Sequence, residues 1–166
     1  MRRIDRDCSD NEKVVEMCIS QAEVIRIALN DESVPYVLPL CFGHEKKDGE
    51  RFFYIHKNRN GKFYELCEKD SSCSFELEGA NELFLDDEKG TCNMNFCSVL
   101  GTGRLELVTS DEERLKALNL IMAHYDRADF DWDRRAMTAI LVYKLSVSSL
   151  TCKATKGWRD NYCADR

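Results

Sequence analysis

Residues 34–43 read Val34-Pro35-Tyr36-Val37-Leu38-Pro39-Leu40-Cys41-Phe42-Gly43, an apolar, extended run that carries both prolines of the chain. Proline has no N–H to give to a strand ladder and is confined to sheet edges. A strand with two prolines four apart is barred from full ladder pairing and must leave backbone groups free. Working outward, Glu23 to Leu29 alternates Ile25, Ile27 and Leu29 with Val24, Arg26 and Ala28, the period of a half-buried strand. Asn30-Asp31-Glu32-Ser33 is the polar turn between the two. On the other side Asp48-Gly49 makes a hairpin turn, and Arg51 to His56 is the returning strand.

Farther from this centre, Lys62 to Lys69 reads as a short helix behind an Asn60-Gly61 turn, and Ser72 to Glu78 as a strand with Phe75 and Leu77 on one face. Gly79 to Asn95 is polar and irregular, a hairpin arm with its tip at Asp86-Asp87-Glu88-Lys89-Gly90. Cys97 to Val108 is a strand in which Gly101 and Gly103 predict a break or bulge. Asn11 to Ile19 is a helix capped by Asp10, with Val14, Val15, Cys18 and Ile19 on one face. Asp111 to Tyr125 is the clearest helix: Ser110 caps it, three acidic residues fill its first turn, and Leu115, Leu118, Ile121, Met122 and Tyr125 form its stripe. A polar loop and a long last strand, Thr138 to Thr151, complete the chain. Six or seven strands with few, short helices favour a mainly β fold, an antiparallel barrel with flanking helices, over a doubly wound sheet. At 166 residues the expectation is one domain, 1–166.

Composition narrows the function classes. The chain is 43% hydrophobic and 33% charged, enough for a packed core. With 24 Lys and Arg against 30 Asp and Glu its net charge is −6, which argues against general binding to nucleic-acid phosphates. No apolar run reaches the roughly 18–20 residues of a membrane span, and the mixed charges of Met1-Arg2-Arg3-Ile4-Asp5-Arg6-Asp7-Cys8 do not read as an export signal. The nine cysteines include no Cys-x-x-Cys pair, so neither a disulfide framework nor a structural metal site is expected. They read as the reduced thiols of a cytoplasmic protein.

In this acidic chain Arg51, His56, Lys57, Arg59 and Lys62 fall in one stretch, 51–64, that has no acidic residue. The stretch leaves a strand at Tyr54-Ile55-His56, turns at a glycine and enters a helix at Gly61-Lys62. Amide donors at a helix start beside cations make a phosphate cradle; a merely solvated basic loop would look the same. Of the three histidines, His44 falls in a loop, His124 at a helix surface, and His56 at a strand end just before the basic stretch. No Gly-x-Ser-x-Gly, P-loop, His-Glu-x-x-His or dinucleotide glycine fingerprint is present, and no acid–base–nucleophile set emerges. That absence points to a cofactor that brings its own reactivity.

Taken in order, Met1-Arg2-Arg3 with Asp5-Arg6, the 34–43 stretch, Phe53-Tyr54-Ile55-His56, Gly61-Lys62, Ser98-Val99-Leu100-Gly101 with Gly103, residues 111–118, and Leu150-Thr151 with Lys153 resemble the nitroimidazole-resistance branch of the pyridoxamine 5′-phosphate oxidase-like flavoproteins. The resemblance implies an FMN-binding split β-barrel that forms a homodimer with FMN at the subunit interface. It implies that Val37, Leu38, Pro39 and Leu40 line the flavin ring, and that Ile55, His56, Lys57 and Asn58 turn toward ribityl and phosphate. Lys62 would be a phosphate cation, Cys97 and Ser98 would approach from the partner subunit, and Trp158 would close the cleft. His56 would also be the candidate catalytic group, placing a hydrogen-bond donor or proton near flavin or substrate. The chain departs from the family at Asn58, where a small residue is common, and at Gly61, where an arginine often stands. The implied activity is an oxidoreductase that reduces small electrophiles such as nitro compounds, with reduced nicotinamide as one possible electron donor. Two other readings stay open: a flavin- or haem-binding protein without turnover, with His44 or His56 as the haem ligand to test, and an unliganded structural dimer.

Overall fold

The computed structural model describes residues 4–164; Met1, Arg2 and Arg3, where the resemblance begins, lie outside them. A 3-10 turn at Ile4–Arg6 precedes α1 (Glu12–Gln21), β1 (Ile25–Leu29), β2 (Tyr36–Leu40), β3 (Phe42–Lys47), β4 (Glu50–Asn58) and α2 (Lys62–Lys69). Then come β5 (Ser72–Glu78), β6 (Glu82–Asp86), β7 (Thr91–Asn95), β8 (Cys97–Leu107), α3 (Asp111–His124), α4 (Arg134–Ala139), β9 (Ile140–Ala154) and α5 (Lys156–Tyr162).

Seven strands form one antiparallel sheet in the order β2-β1-β5-β8-β9-β4-β3, and β6 and β7 form a separate hairpin. A single residue, Cys41, joins β2 to β3, yet these are the two edges of the sheet. Laid flat at about 4.8 Å per strand, the edges would stand roughly 29 Å apart, whereas the two backbone steps from Leu40 to Phe42 span at most about 7 Å. The sheet must therefore curl until its edges approach, which makes it a split barrel. The single strand expected over 34–43 is thus two: Tyr36–Leu40 pairs with β1, and at Phe42 the chain begins to pair with β4. The prolines fit because β2 is an edge, with Pro39 opposite Arg26.

The chain packs as two compact units. The second unit comprises Val24–Phe75 and Gly101–Ser149. In it α3 lies on β3 and β4, burying Ala117, Leu118 and Ile121 against Tyr54, Val108 and Val142. Gly43 allows this approach, since a Cβ there would meet the backbone of Leu120 and Ile121. The Ser110 cap of α3 is as expected, its side chain accepting from Glu113 N–H; Leu115 of the expected stripe is exposed instead. Gly101 and Gly103 do not break β8, which runs unbroken from Cys97 to Leu107. They are glycines because a Cβ would meet the Phe75 ring and Ser149 carbonyl at one position, and Leu145 and the Ser146 carbonyl at the other.

The first unit takes the chain up to Glu23, Glu76–Leu100 and the chain from Leu150. α1 buries Val14, Val15, Cys18 and Ile19 as expected, but its cap is Asn11, which accepts from Val14 N–H, and not Asp10. The expected arm is the β6–β7 hairpin, with Glu82 opposite Asn95 and Asp86 opposite Thr91. Two helices were not expected: α4, capped by Asp133, and α5, capped by Thr155. At 6 and 7 residues they are too short to show a helical period.

Candidate functional site

The expected phosphate region lies wholly in the second unit. β4 carries Ile55, fully buried, then His56 and Lys57, half-buried, and Asn58, exposed. Each faces β9 in register, His56 opposite Val142 and Asn58 opposite Ile140. Burial, helped by the neighbouring Lys57 charge, pushes the His56 imidazole below its ordinary pKa. His56 is consequently held toward its neutral form, with one ring nitrogen to donate and one to accept.

The chain leaves β4 through a loop in which Arg59 donates to the Thr138 carbonyl at 2.8 Å. It enters α2 through Gly61, whose φ of 121° is a conformation L side chains rarely adopt. Because Gly61 has no side chain to cap with, the first amides of α2 receive no side-chain acceptor. Lys62, the first residue of α2, extends its ammonium to the Asp31 carboxylate. The same ammonium lies 5.5 Å from the centre of the Tyr36 ring. The contact with Asp31 raises the Lys62 pKa, so this group stays a cation. Lys62 thus joins the start of α2 to the start of β2, two of the expected site segments. Neither Asp31 nor Tyr36 stands out as a site residue in the sequence, because a turn aspartate 31 positions from its lysine leaves no local signal.

β2 supplies the expected ring-lining segment. As an edge strand it pairs with β1 alone. Val37 and Pro39 are exposed, Leu38 is half-buried and Leu40 is buried. The strand therefore offers an apolar surface together with a free backbone edge.

Cys97, Ser98 and Trp158 belong to the first unit. Cys97 is fully buried, its Sγ 3.7 Å from Cys152 Sγ, and Ser98 beside it is half-buried. Trp158 corrects the expectation: its side chain has no exposed surface, its indole N–H donates to the Ala80 carbonyl at 2.9 Å, and its ring stacks on Tyr162. A side chain without free surface cannot close a cleft, so Trp158 is a core residue of its own unit. His44 is not in a loop but on β3 opposite Phe53, and its ring lies among those of Phe42, Phe53 and His124. A cavity of about 510 Å³ in the second unit, bordered by Asn30, Pro35, Ser72, Thr102 and Arg104, is lined by none of the expected residues. Among the described residues no group of three or more His, Cys, Asp or Glu side chains could hold a metal ion. Nor is any helix among them long and apolar enough to cross a membrane.

The donor set at Gly61-Lys62, uncapped amides plus a lysine cation in a loop free of acids, fits a phosphate group. The curled, mainly β antiparallel sheet with flanking helices is that of the split-barrel flavoprotein class. Residues 11–154 match the family model described as pyridoxamine 5′-phosphate oxidase, and the chain belongs to that family. Among solved structures it is similar to a proposed 5-nitroimidazole antibiotic resistance protein from Bacteroides thetaiotaomicron, with 26% identity and a TM-score of 0.76 over 87% of this chain and 84% of that one. It also shares its fold with the flavocytochrome Anf3 from Azotobacter vinelandii (20% identity, TM-score 0.71, 95% of this chain and 73% of that one). The FAD and haem binding protein from Mycobacterium smegmatis has the same fold (15% identity, TM-score 0.73, 92% of this chain and 75% of that one). None of the curated proteins matches the chain.

Proposed function

We propose that this protein is an FMN-binding oxidoreductase that acts as a homodimer and reduces small electrophiles, nitroimidazoles among them. The observation that carries the reading is the Lys62 cation at the uncapped start of α2, beside the exposed edge strand β2. Lys62 and the first α2 amides would bind the cofactor phosphate. Val37, Leu38, Pro39 and Leu40 would orient the flavin ring and keep water from one face of it. His56, held neutral by burial, would give or take a proton or hydrogen bond at the edge of the ring pocket. Lys57 beside it favours negative charge developing there. The bound flavin would supply the hydride and electron chemistry that no side-chain set in this chain provides. The partner copy would complete each site, with Ser98, half-buried next to the fully buried Cys97, on the approaching strand. Nine unpaired cysteines agree with a reducing compartment such as the cytoplasm.

The test is the visible spectrum of the purified protein after FMN is added and the excess removed, followed by anaerobic addition of NADH or NADPH and then a nitroimidazole. The expected result is a retained flavin spectrum that bleaches with a reduced nicotinamide and returns as the nitro compound is consumed. A retained flavin that neither nicotinamide bleaches would favour binding without turnover. A single sharp haem band in the protein as isolated would replace the flavin reading by a haem one, and a protein that retains no chromophore would refute both.

A further inference from the structure

Lys62, the cation expected to meet the phosphate, is already engaged. Its ammonium contacts the Asp31 carboxylate on one side and faces the Tyr36 ring on the other. Asp31 lies in the turn between β1 and β2, which is fastened on its other side by Asn30 Nδ2 donating to Asp70 Oδ2 at 3.1 Å. The turn keeps this form although Glu32, directly after Asp31, has a left-handed φ of 52° that few residues with a side chain adopt. The chain is thus bent to present one carboxylate to one lysine, at the mouth of the acid-free basic stretch 51–64.

We propose that Asp31 is an internal stand-in for the cofactor phosphate: its carboxylate holds Lys62 in the free protein, opposes an incoming phosphate, and so sets how strongly the site prefers a phosphorylated flavin to an unphosphorylated one. This rests on the flavin reading of the site. The contact is displaceable, because the Lys62 side chain is 52% exposed and that of Asp31 26%, and an ion pair this wet is weak. A phosphate brings about two charges and takes the α2 amides as well as the lysine, so it outcompetes a single carboxylate. Riboflavin, with no phosphate, has nothing to exchange for the carboxylate and leaves the pair intact. The Tyr36 ring stays beside the ammonium in both states and keeps it from swinging into solvent. Asp31 therefore lowers the affinity for FMN and leaves that for riboflavin unchanged.

The experiment is a flavin-fluorescence titration of the full chain with FMN and, separately, with riboflavin, for the parent protein, Asp31→Asn, Asp31→Ser and Lys62→Gln. Removing the carboxylate is expected to tighten FMN binding about fivefold to tenfold, with riboflavin unchanged and the gain shrinking as salt rises. Asp31→Ser guards against an asparagine that still holds the lysine. If both Asp31 variants leave FMN affinity unchanged or weaken it, while Lys62→Gln weakens FMN relative to riboflavin, the stand-in role is wrong and the phosphate site survives. Equal tightening toward both flavins would mean that the turn had only loosened, which also overturns the proposal. If Lys62→Gln leaves the preference between the two flavins untouched, or neither flavin binds the parent, the flavin reading itself falls and the proposal with it.

Discussion

The phenol of Tyr54 donates to Glu45 Oε1 at 2.6 Å, from a side chain only 1% exposed. The pair ties neighbouring strands β3 and β4, and Lys116 of α3 closes on the same carboxylate at 2.6 Å. One carboxylate thus links two strands to the helix that covers them. Replacing Tyr54 by Phe is expected to cost about 1–2 kcal/mol of stability, and Glu45→Gln a similar amount, because each removes a charge-assisted hydrogen bond from a partly buried site. Urea unfolding of the two variants and the double mutant checks this. Additive losses would show that the two residues do not act as a pair.

The same carboxylate has a pH signature. Burial works to raise the Glu45 pKa, but hydrogen bonds from Lys116 and Tyr54 outweigh it and hold the group below its ordinary value. A depressed carboxylate stabilises the fold fully above its unfolded pKa, and this contribution is lost as pH falls through the folded one. His56, also depressed but a base, adds a second acid-side loss that begins as pH drops past its ordinary value of about 6.5. Melting temperatures of the parent and His56→Gln are expected to diverge on that basis: the parent loses stability between mildly alkaline and mildly acidic pH, at no more than about 1.4 kcal/mol per pH unit from this group, and the variant loses less. Equal slopes would mean that burial does not hold His56 neutral.

Gly43 is the contact point of sheet and helix. Gly43→Ala puts a methyl group into the backbone of Leu120 and Ile121, which cannot give way as a flexible side chain would. The expected loss is about 2–4 kcal/mol, at the upper end for overpacking. Gly49→Ala is the useful contrast, since its Cβ meets nothing and only its φ of 86° is strained. Thermal unfolding of both is expected to show the larger loss at Gly43.

Trp158 separates structural from ligand roles. Trp158→Ala empties a fully buried site and leaves the Ala80 carbonyl without its donor, so a loss of about 3–5 kcal/mol is expected. Trp158→Phe is expected to lose less and to leave flavin affinity per folded molecule at the parent value. Weaker flavin binding in a fully folded Trp158→Phe protein would restore the cleft-closing role.

How much was legible in the sequence differs by element. Strands β1 and β5, helix α2 and the Ser110 cap of α3 were readable, because one face of each is buried and period or cap chemistry records that locally. Helices α4 and α5 were not, since 6 and 7 residues make fewer than two full turns. The role of Gly101 and Gly103 is not legible for a related reason. A glycine needed for close approach and a glycine that marks a bulge look alike until the neighbours at Phe75 and Ser146 are in place.

By itself the sequence determined the mainly β class, the incomplete ladder pairing of 34–43 from its two prolines, and the acid-free basic stretch that includes Lys62, because proline chemistry, alternation and charge are properties of neighbouring residues. The tertiary structure decided that the strand breaks at Cys41 so that the sheet's two edges are consecutive in the chain. It also decided that Trp158 is core, and that Lys62 meets Asp31 and Tyr36. These depend on contacts between residues far apart along the chain, which only the curling of the sheet and the packing of helices against it bring together.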